Sequence, residues 1–161
     1  MPSIDILATA VLQTCRERGV MLATAESCTG GLVAAALTEI AGSSDVVDCG
    51  FVTYSNAAKT RMLGVPAALI ARHGAVSAEV ARAMAEGALA HSNAGIAVTV
   101  TGVAGPGGGT AQKPVGLVHI AVARTGADTQ DDVHRFTGDR SRVRRETVIA
   151  ALRLLQATLR P

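Results

Sequence analysis

The chain has 161 residues, of which 48% are hydrophobic and 17% are charged, and its net charge is +2. This composition excludes a disordered chain, and the small net charge argues against a surface that binds nucleic acid or another polyanion as a whole. With one tyrosine, two phenylalanines and no tryptophan, the core has to be built from Ala, Val, Leu and Ile. The length suits a single domain, which we predict over residues 1–161.

The predicted elements alternate between helices and strands along the chain. Helical spacing of apolar residues predicts helices at 4–18, 32–40, 55–64, 66–72, 78–90 and 140–159. Short runs of branched apolar residues predict strands at 20–24, 46–54, 96–101, 115–123 and 132–137, the last as an edge strand. Ser77 and Asp139 are the predicted N-caps of the last two helices. This order predicts an α/β fold, a three-layer α/β/α arrangement in which helices flank a mixed sheet with a late antiparallel section.

Cysteine use and targeting signals predict the compartment. Cys15, Cys28 and Cys49 are an odd number without a C-x-x-C spacing, so we expect a reducing compartment and neither a disulfide framework nor a metal site. The N-terminus has no basic segment of the kind that opens a secretory signal. The uncharged stretch 92–112 is interrupted by glycines and Pro106, which argues against a membrane helix. We therefore expect a cytoplasmic protein without a membrane partner.

Three unusual loops follow predicted strands, at residues 25–31, 54–59 and 101–114. In an open α/β sheet, ligands collect at the carboxyl ends of the strands. We therefore expect the three loops to form one shared site.

The first loop, A-E-S-C-T-G-G, places Ser27 between a strand and a helix. The amides at such a helix start stabilise a phosphate or an oxyanion, and Gly30 and Gly31 let a ligand approach the backbone. The alternative is that Ser27 or Thr29 only caps the helix, and this stretch by itself favours the cap. Cys28 also has two interpretations. It is either a nucleophile at a helix start or a small buried thiol.

The second loop, Y-S-N-A-A-K, contains Lys59, one of two lysines in the chain. No His–Asp pairing is evident, and a lysine whose pKa is lowered by burial can act as the base for a serine instead. Ser55 lies four residues before Lys59 on the same helix face and is a rival nucleophile. The alternative interpretation is that Ser55 caps the helix and Lys59 is solvated.

The third loop, T-G-V-A-G-P-G-G-G-T-A-Q-K-P, is too rich in glycine for ordinary packing. It has neither the phosphate-binding P-loop pattern nor the G-x-G-x-x-G of dinucleotide sites. A lid or a substrate cradle is the functional interpretation, and a long connection between two strands is the alternative.

Residues 135–146 carry a local charge of about +3, from five arginines against one aspartate and one glutamate. Arg140 and Arg144 are one helical turn apart and could hold a phosphate together, whereas Arg142 and Arg145 fit a solvated face. The cluster has no aromatic residues interleaved in the way that nucleic-acid surfaces do, so we expect no nucleic-acid partner.

Taken together, the motifs resemble the CinA C-terminal domain family. The resemblance rests on A-E-S-C-T-G-G, Y-S-N-A-A-K, G-A-V-S, T-G-V-A-G-P-G-G-G with K-P-V-G-L-V, and F-T-G-D-R-S-R-V-R, in this order. It covers about residues 5–159. Longer family members carry an added N-terminal domain similar to molybdopterin-binding proteins, and this chain resembles the stand-alone form.

The resemblance implies an activity. Members that have it, of the PncC type, hydrolyse nicotinamide mononucleotide (NMN) to nicotinic acid mononucleotide and ammonia, in pyridine nucleotide salvage. It implies a serine amidase that uses lysine as its base and needs no cofactor, with Ser27 as the nucleophile, Lys59 as the base, and Tyr54 beside the lysine to position it or relay its proton.

The predicted substrate contacts come from the first loop, the third loop and the arginine cluster. They are Glu26, Thr29, Gly30, Gly31, Thr101, Gly102, Gly105, Arg140 and Arg144. We expect a homo-oligomer, since a small protein often builds its site between copies. Two alternatives stay open: Ser55 or Thr101 performs the chemistry while Ser27 binds phosphate, or the protein is a non-catalytic nucleotide-binding module.

Overall fold

The computed structural model describes residues 3–161. Its helices are α1 (Ile4–Arg18), α2 (Leu32–Thr38), α3 (Asn56–Leu63), α4 (Ala67–His73), α5 (Ala78–Ala90) and α6 (Arg140–Leu159). Its strands are β1 (Leu22–Glu26), β2 (Val47–Val52), β3 (Ile96–Gly102), β4 (Leu117–Arg124) and β5 (Gln130–Arg135). The 3-10 turn Ser43–Asp45 precedes β2.

The five strands form one mixed sheet in the order β2-β1-β3-β4-β5. The first three in this order are parallel, and β4 and β5 are added antiparallel. Helices α1, α2 and α6 pack on one face of the sheet, and α3, α4 and α5 lie on the other. The predicted three-layer α/β/α fold with a late antiparallel section is therefore confirmed, as is the position of the last strand at an edge.

The two faces of the sheet carry side chains of different size. Toward α1 and α6 the strands present branched residues, namely Leu22, Ile96, Val98, Val100, Val118, Ile120 and Val122. Toward α5 they present mainly alanines, namely Ala23, Ala25, Ala97, Ala121 and Ala123. The small side chains leave room for α5 to lie directly on the sheet.

The predicted helix starts agree with the structure where a local cap sets them. Ser77 and Asp139 accept hydrogen bonds from the amides of Val80 and Arg142, as N-caps do. Strand bounds are less accurate: β1 was expected to begin at Val20 and begins two residues later. The amide of Val20 is instead bonded to Cys15 at the end of α1, and it cannot join the sheet.

Gly87 shows how tightly α5 packs. Replacing a glycine inside a helix by alanine usually stabilises by about 1 kcal/mol. Here a Cβ atom at Gly87 would lie 2.1 Å from the carbonyl oxygen of Leu63, at the end of α3. We expect Gly87→Ala to lower the free energy of unfolding in urea by about 2 kcal/mol instead.

Gly107→Ala is the control for Gly87→Ala, because a Cβ atom at Gly107 meets nothing within 4 Å. Its free energy of unfolding should stay within about 0.5 kcal/mol of the wild type. A stabilised Gly87→Ala protein would show that α3 and α5 can move apart freely.

Candidate active site

The carboxyl ends of β1, β2 and β3 meet at one edge of the sheet, because these three strands are parallel neighbours. The loops that follow them surround a cavity of about 310 Å3. It is lined by Ser27, Cys28, Tyr54, Asn56, Lys59, Ala75, Val76, residues 101–105, Gly107, Gly108 and Arg140. The fold thus brings the three predicted loops to a single cavity.

Ser27 and Lys59 are in direct contact at this cavity. Ser27 follows the last residue of β1, and its amide donates to the carbonyl of Val100 on β3 at 3.1 Å, which holds the serine against the sheet. Nζ of Lys59 donates to Oγ of Ser27 at 3.1 Å. Lys59 is only 1% exposed, so the alternative of a solvated lysine is wrong.

The environment of Lys59 suits a proton acceptor. Burial lowers the pKa of its amine from the ordinary value of 10.5, and the nearby Cys28 offsets this only in part. Nζ also donates to the carbonyls of Thr53 at 3.0 Å and Tyr54 at 3.5 Å, which aim it at the serine.

Cys28 is a neutral thiol at pH 7. Burial raises its pKa to about 11, and the side chain is 6% exposed. A thiol in this state is a poor nucleophile, because the thiolate is the reactive form. The geometry therefore favours Ser27 over its neighbour.

Glu26 stabilises the loop around Ser27. Its side chain is 1% exposed and faces the start of α2, where Oε1 accepts from Oγ1 of Thr29 at 2.6 Å and from the amide of Val33 at 2.8 Å. Oε2 accepts from the amide of Ala34 at 3.1 Å. Glu26 is therefore the residue that caps α2, and the expectation that Ser27 or Thr29 caps it is wrong.

The two candidate phosphate ligands lie at different places. Arg144 donates to the carbonyls of Cys28 and Thr29, at 3.2 and 3.1 Å, and so braces the backbone of the first loop. Arg140 lines the cavity and donates to the carbonyl of Gly105 at 2.9 Å. The expectation that the two arginines hold one phosphate together has no support in this arrangement.

Tyr54 contacts Arg140 through its phenol. The hydroxyl accepts from Nη2 of Arg140 at 2.9 Å, and the tyrosine is 60% exposed at the rim of the cavity. Only its backbone carbonyl faces Lys59. A role of the phenol toward the lysine remains a prediction.

The hydroxyls of the two rival nucleophiles are engaged elsewhere. Oγ of Ser55 accepts from the amide of Ala58 at 3.0 Å and caps α3. Oγ1 of Thr101 donates to the carbonyl of Ala75 at 2.9 Å. Neither contact involves Lys59.

Close packing explains two glycines of the third loop. A Cβ atom at Gly102 would lie 2.7 Å from Cγ2 of Val118, and one at Gly105 would lie 2.5 Å from Cγ1 of Val115. Gly105 also has a φ of +83°, in the left-handed region that favours glycine. Gly102, at the end of β3, is thus held against β4, and Gly105 is held against the segment before β4. Arg140 from α6 bonds to the loop at Gly105.

The structure places some predicted contacts away from the cavity and adds others. Glu26, Thr29, Gly30, Gly31 and Arg144 do not line it; they build or brace the first loop. Asn56, Ala75 and Val76 line it and were not predicted. Their only signal was their position inside Y-S-N-A-A-K and G-A-V-S.

No group of three His, Cys, Asp or Glu side chains within residues 3–161 is arranged to hold a metal ion. Over the same residues, none of the helices has the length and apolar character needed to cross a bilayer.

Comparison with known proteins identifies relatives along nearly the whole chain. The model of the CinA C-terminal domain matches residues 4–159. A CinA-like protein of Anaeromyxobacter dehalogenans (strain 2CP-C) is 53% identical over 156 residues, which cover 97% of this chain and 38% of the relative. A CinA-like protein of Geobacter sp. (strain M21) is 57% identical over 144 residues, which cover 89% of this chain and 34% of the relative. The chain thus spans little more than a third of these curated relatives.

Solved structures of similar length have the same fold. The competence/damage inducible protein CihA from Agrobacterium tumefaciens is 50% identical, with a TM-score of 0.96 and coverage of 99% of this chain and 98% of that protein. A CinA superfamily protein from Klebsiella pneumoniae 700603 is 39% identical, with a TM-score of 0.94 and coverage of 98% of both. These names state no reaction.

Proposed function

This chain belongs to the CinA C-terminal domain family, and on that basis we propose that it is an amidohydrolase that converts NMN to nicotinic acid mononucleotide and ammonia. Ser27 is the nucleophile and Lys59 is the general base. The contact between Nζ of the buried Lys59 and Oγ of Ser27, at 3.1 Å, is the observation that carries this proposal.

As an ammonium ion, Lys59 donates to three oxygens, Oγ of Ser27 and the carbonyls of Thr53 and Tyr54. The proposed reaction starts from the neutral amine, in which the hydrogen bond to Ser27 is reversed. A neutral amine has two N–H groups and one lone pair, and the carbonyls of Thr53 and Tyr54 can accept from the two N–H groups. The lone pair then remains for the hydroxyl proton of Ser27. Burial favours this neutral form, since it disfavours the ammonium ion.

The reaction proceeds through an acyl-enzyme. Oγ of Ser27 attacks the carboxamide carbon while Lys59 takes the hydroxyl proton, and Lys59 then gives that proton to the carboxamide nitrogen, which leaves as ammonia when the C–N bond breaks. Lys59 then takes a proton from a water molecule that attacks the ester carbon, and it gives this proton to Oγ of Ser27 as the ester bond breaks. The product acid loses its own proton to solvent and leaves as the carboxylate. The amine is thus neutral at the start and at the end of each half-reaction.

Backbone amides beside Ser27 are the candidates for the oxyanion site. The amide of Ser27 itself is bonded to Val100 and is not free. Within residues 3–161, no acceptor on another residue takes the amides of Cys28 and Thr29. Donors held in place at a site of developing charge are worth several kcal/mol in the transition state, of the order of 3–4 kcal/mol each.

Arg140 is the proposed partner of the substrate phosphate. It lines the cavity together with Gly107 and Gly108, whose amides have no acceptor in the part of the chain that the structure describes. A guanidinium beside free glycine amides is a suitable environment for a phosphate. Because Arg144 is occupied by the first loop, it has a structural role in this proposal.

The proposal is tested by measuring ammonia release from NMN with the purified protein and with Ser27→Ala. We expect the wild type to release ammonia and the variant to lose at least about a thousandfold of the rate. Ser55→Ala is the matched control, because it removes a serine that only caps α3. If Ser55→Ala, correctly folded, loses the activity and Ser27→Ala retains it, the nucleophile has been misassigned.

A non-catalytic nucleotide-binding module is the alternative function. It is distinguished by calorimetry of NMN binding to the same preparations. A folded wild type that binds NMN and releases no ammonia would favour the module.

A further inference from the structure

Lys113 is the second of the two lysines in the chain. It does not itself line the cavity, but it belongs to the loop whose residues Gly105, Gly107 and Gly108 do. Its Nζ donates to the carbonyl of His73, the last residue of α4. A Cβ atom at the next residue, Gly74, would lie 2.6 Å from this Nζ. The ammonium group therefore occupies the space that a side chain at position 74 would need.

The segment that Lys113 contacts forms one wall of the cavity. Ala75 and Val76, which follow Gly74, line the cavity, and the carbonyl of Ala75 accepts from Oγ1 of Thr101 at 2.9 Å. Residues 74–77 are therefore fastened from two sides, by Thr101 from β3 and by Lys113 through His73.

Lys113 itself belongs to the glycine-rich loop, which forms another wall. Its amide donates to Oγ1 of Thr110 at 3.0 Å, and its carbonyl accepts from the amide of Thr110 at 2.8 Å. This small turn fixes the backbone that carries the lysine. Arg140 fastens the same loop at Gly105, so Gly107 and Gly108 lie between two attachment points.

We propose that Lys113 is a positioning residue that joins the glycine-rich loop to the 74–77 segment and so sets the affinity for the substrate. Without this link the two walls move independently, and the substrate has to order them when it binds. Ser27 follows β1 and Lys59 lies on α3, and neither is hydrogen-bonded to Lys113, so the chemical step is unaffected. This inference rests on the proposed function for its kinetic test only.

The kinetic test compares Lys113→Met with Lys113→Arg in ammonia release from NMN. Lys113→Met is expected to raise KM about tenfold and to leave kcat within about twofold. Lys113→Arg keeps a cationic donor and should restore KM to within about threefold. Arg18→Met, which removes an exposed cation at the end of α1, is the control and should change neither constant. An unchanged KM in Lys113→Met, or a fall in kcat alone, overturns the proposal.

Hydrogen exchange provides a test that does not depend on activity. In Lys113→Met, the amides of both 103–114 and 74–77 should exchange faster than in the wild type, and Lys113→Arg should restore protection. Faster exchange in the loop alone would mean that Lys113 acts locally and would overturn the proposal. If the wild type releases no ammonia, the exchange result alone decides whether Lys113 joins the glycine-rich loop to the 74–77 segment. A Lys113→Met protein that fails to fold also contradicts the proposal, because a half-buried loop lysine outside the core should not be needed for folding.

Discussion

Lys59→Met is expected to lower the rate of ammonia release from NMN by about 10^3–10^4-fold and to leave the protein folded. Methionine has nearly the length of lysine but cannot accept a proton, so Ser27 loses its base. The substitution also removes an amine that is buried to 1% exposure, which offsets the loss of its hydrogen bonds. We therefore expect a midpoint of unfolding no lower than that of the wild type.

The pH dependence gives a second measurement on Lys59→Met. The neutral amine is the active form, so kcat/KM of the wild type should rise with pH, with an apparent pKa below 10.5, because burial lowers the pKa of Lys59. Stability should rise with pH in the same window, since the folded state binds fewer protons than the unfolded state between the two pKa values. Both rises should be absent in Lys59→Met.

Arg61→Met is the matched control for Lys59→Met, since it removes an exposed cation from the same helix. Its rate and pH profile should equal those of the wild type. A Lys59→Met protein that keeps more than about a tenth of the wild-type rate would contradict the role of Lys59 as the base.

Glu26→Ala should be the most destabilising of the substitutions considered. The carboxylate accepts three hydrogen bonds, from Oγ1 of Thr29 and the amides of Val33 and Ala34. Its removal leaves all three donors without this acceptor, and the first two of them are buried. We expect the free energy of unfolding, measured in urea, to fall by about 4 kcal/mol. Ammonia release should fall as well, because Ser27 is the next residue and loses its support.

Two further variants make the Glu26 result specific. Glu26→Gln keeps the shape and one acceptor oxygen but puts an NH2 group near amide donors. Its free energy of unfolding should therefore lie between those of the wild type and Glu26→Ala. Glu39→Ala removes an exposed carboxylate at the other end of α2 and should change the free energy of unfolding by less than about 0.5 kcal/mol. If Glu26→Ala lowers the free energy of unfolding by less than about 1 kcal/mol, water has replaced the carboxylate as the acceptor of these hydrogen bonds.

Local chemistry explains why the sequence predicted so much of the fold. The helix starts at Ser77 and Asp139 depend on contacts within three residues, and the apolar spacing of 4–18 and 140–159 needs no distant partner. The strand bounds were displaced by up to two residues because they depend on neighbours. The sheet register, for example Leu22 opposite both Val47 and Ile96, joins segments far apart in the chain.

The sequence by itself determined the three-layer fold, the family, and the three loops that meet at one edge of the sheet. Only the tertiary structure decided what the side chains in those loops do. It put Lys59 against Ser27, 32 residues away, gave Glu26 and Arg144 bracing roles, and occupied the hydroxyls of Ser55 and Thr101. The physical reason is that burial and hydrogen-bond partners set the protonation and reactivity of a side chain, and both depend on residues that are distant in sequence.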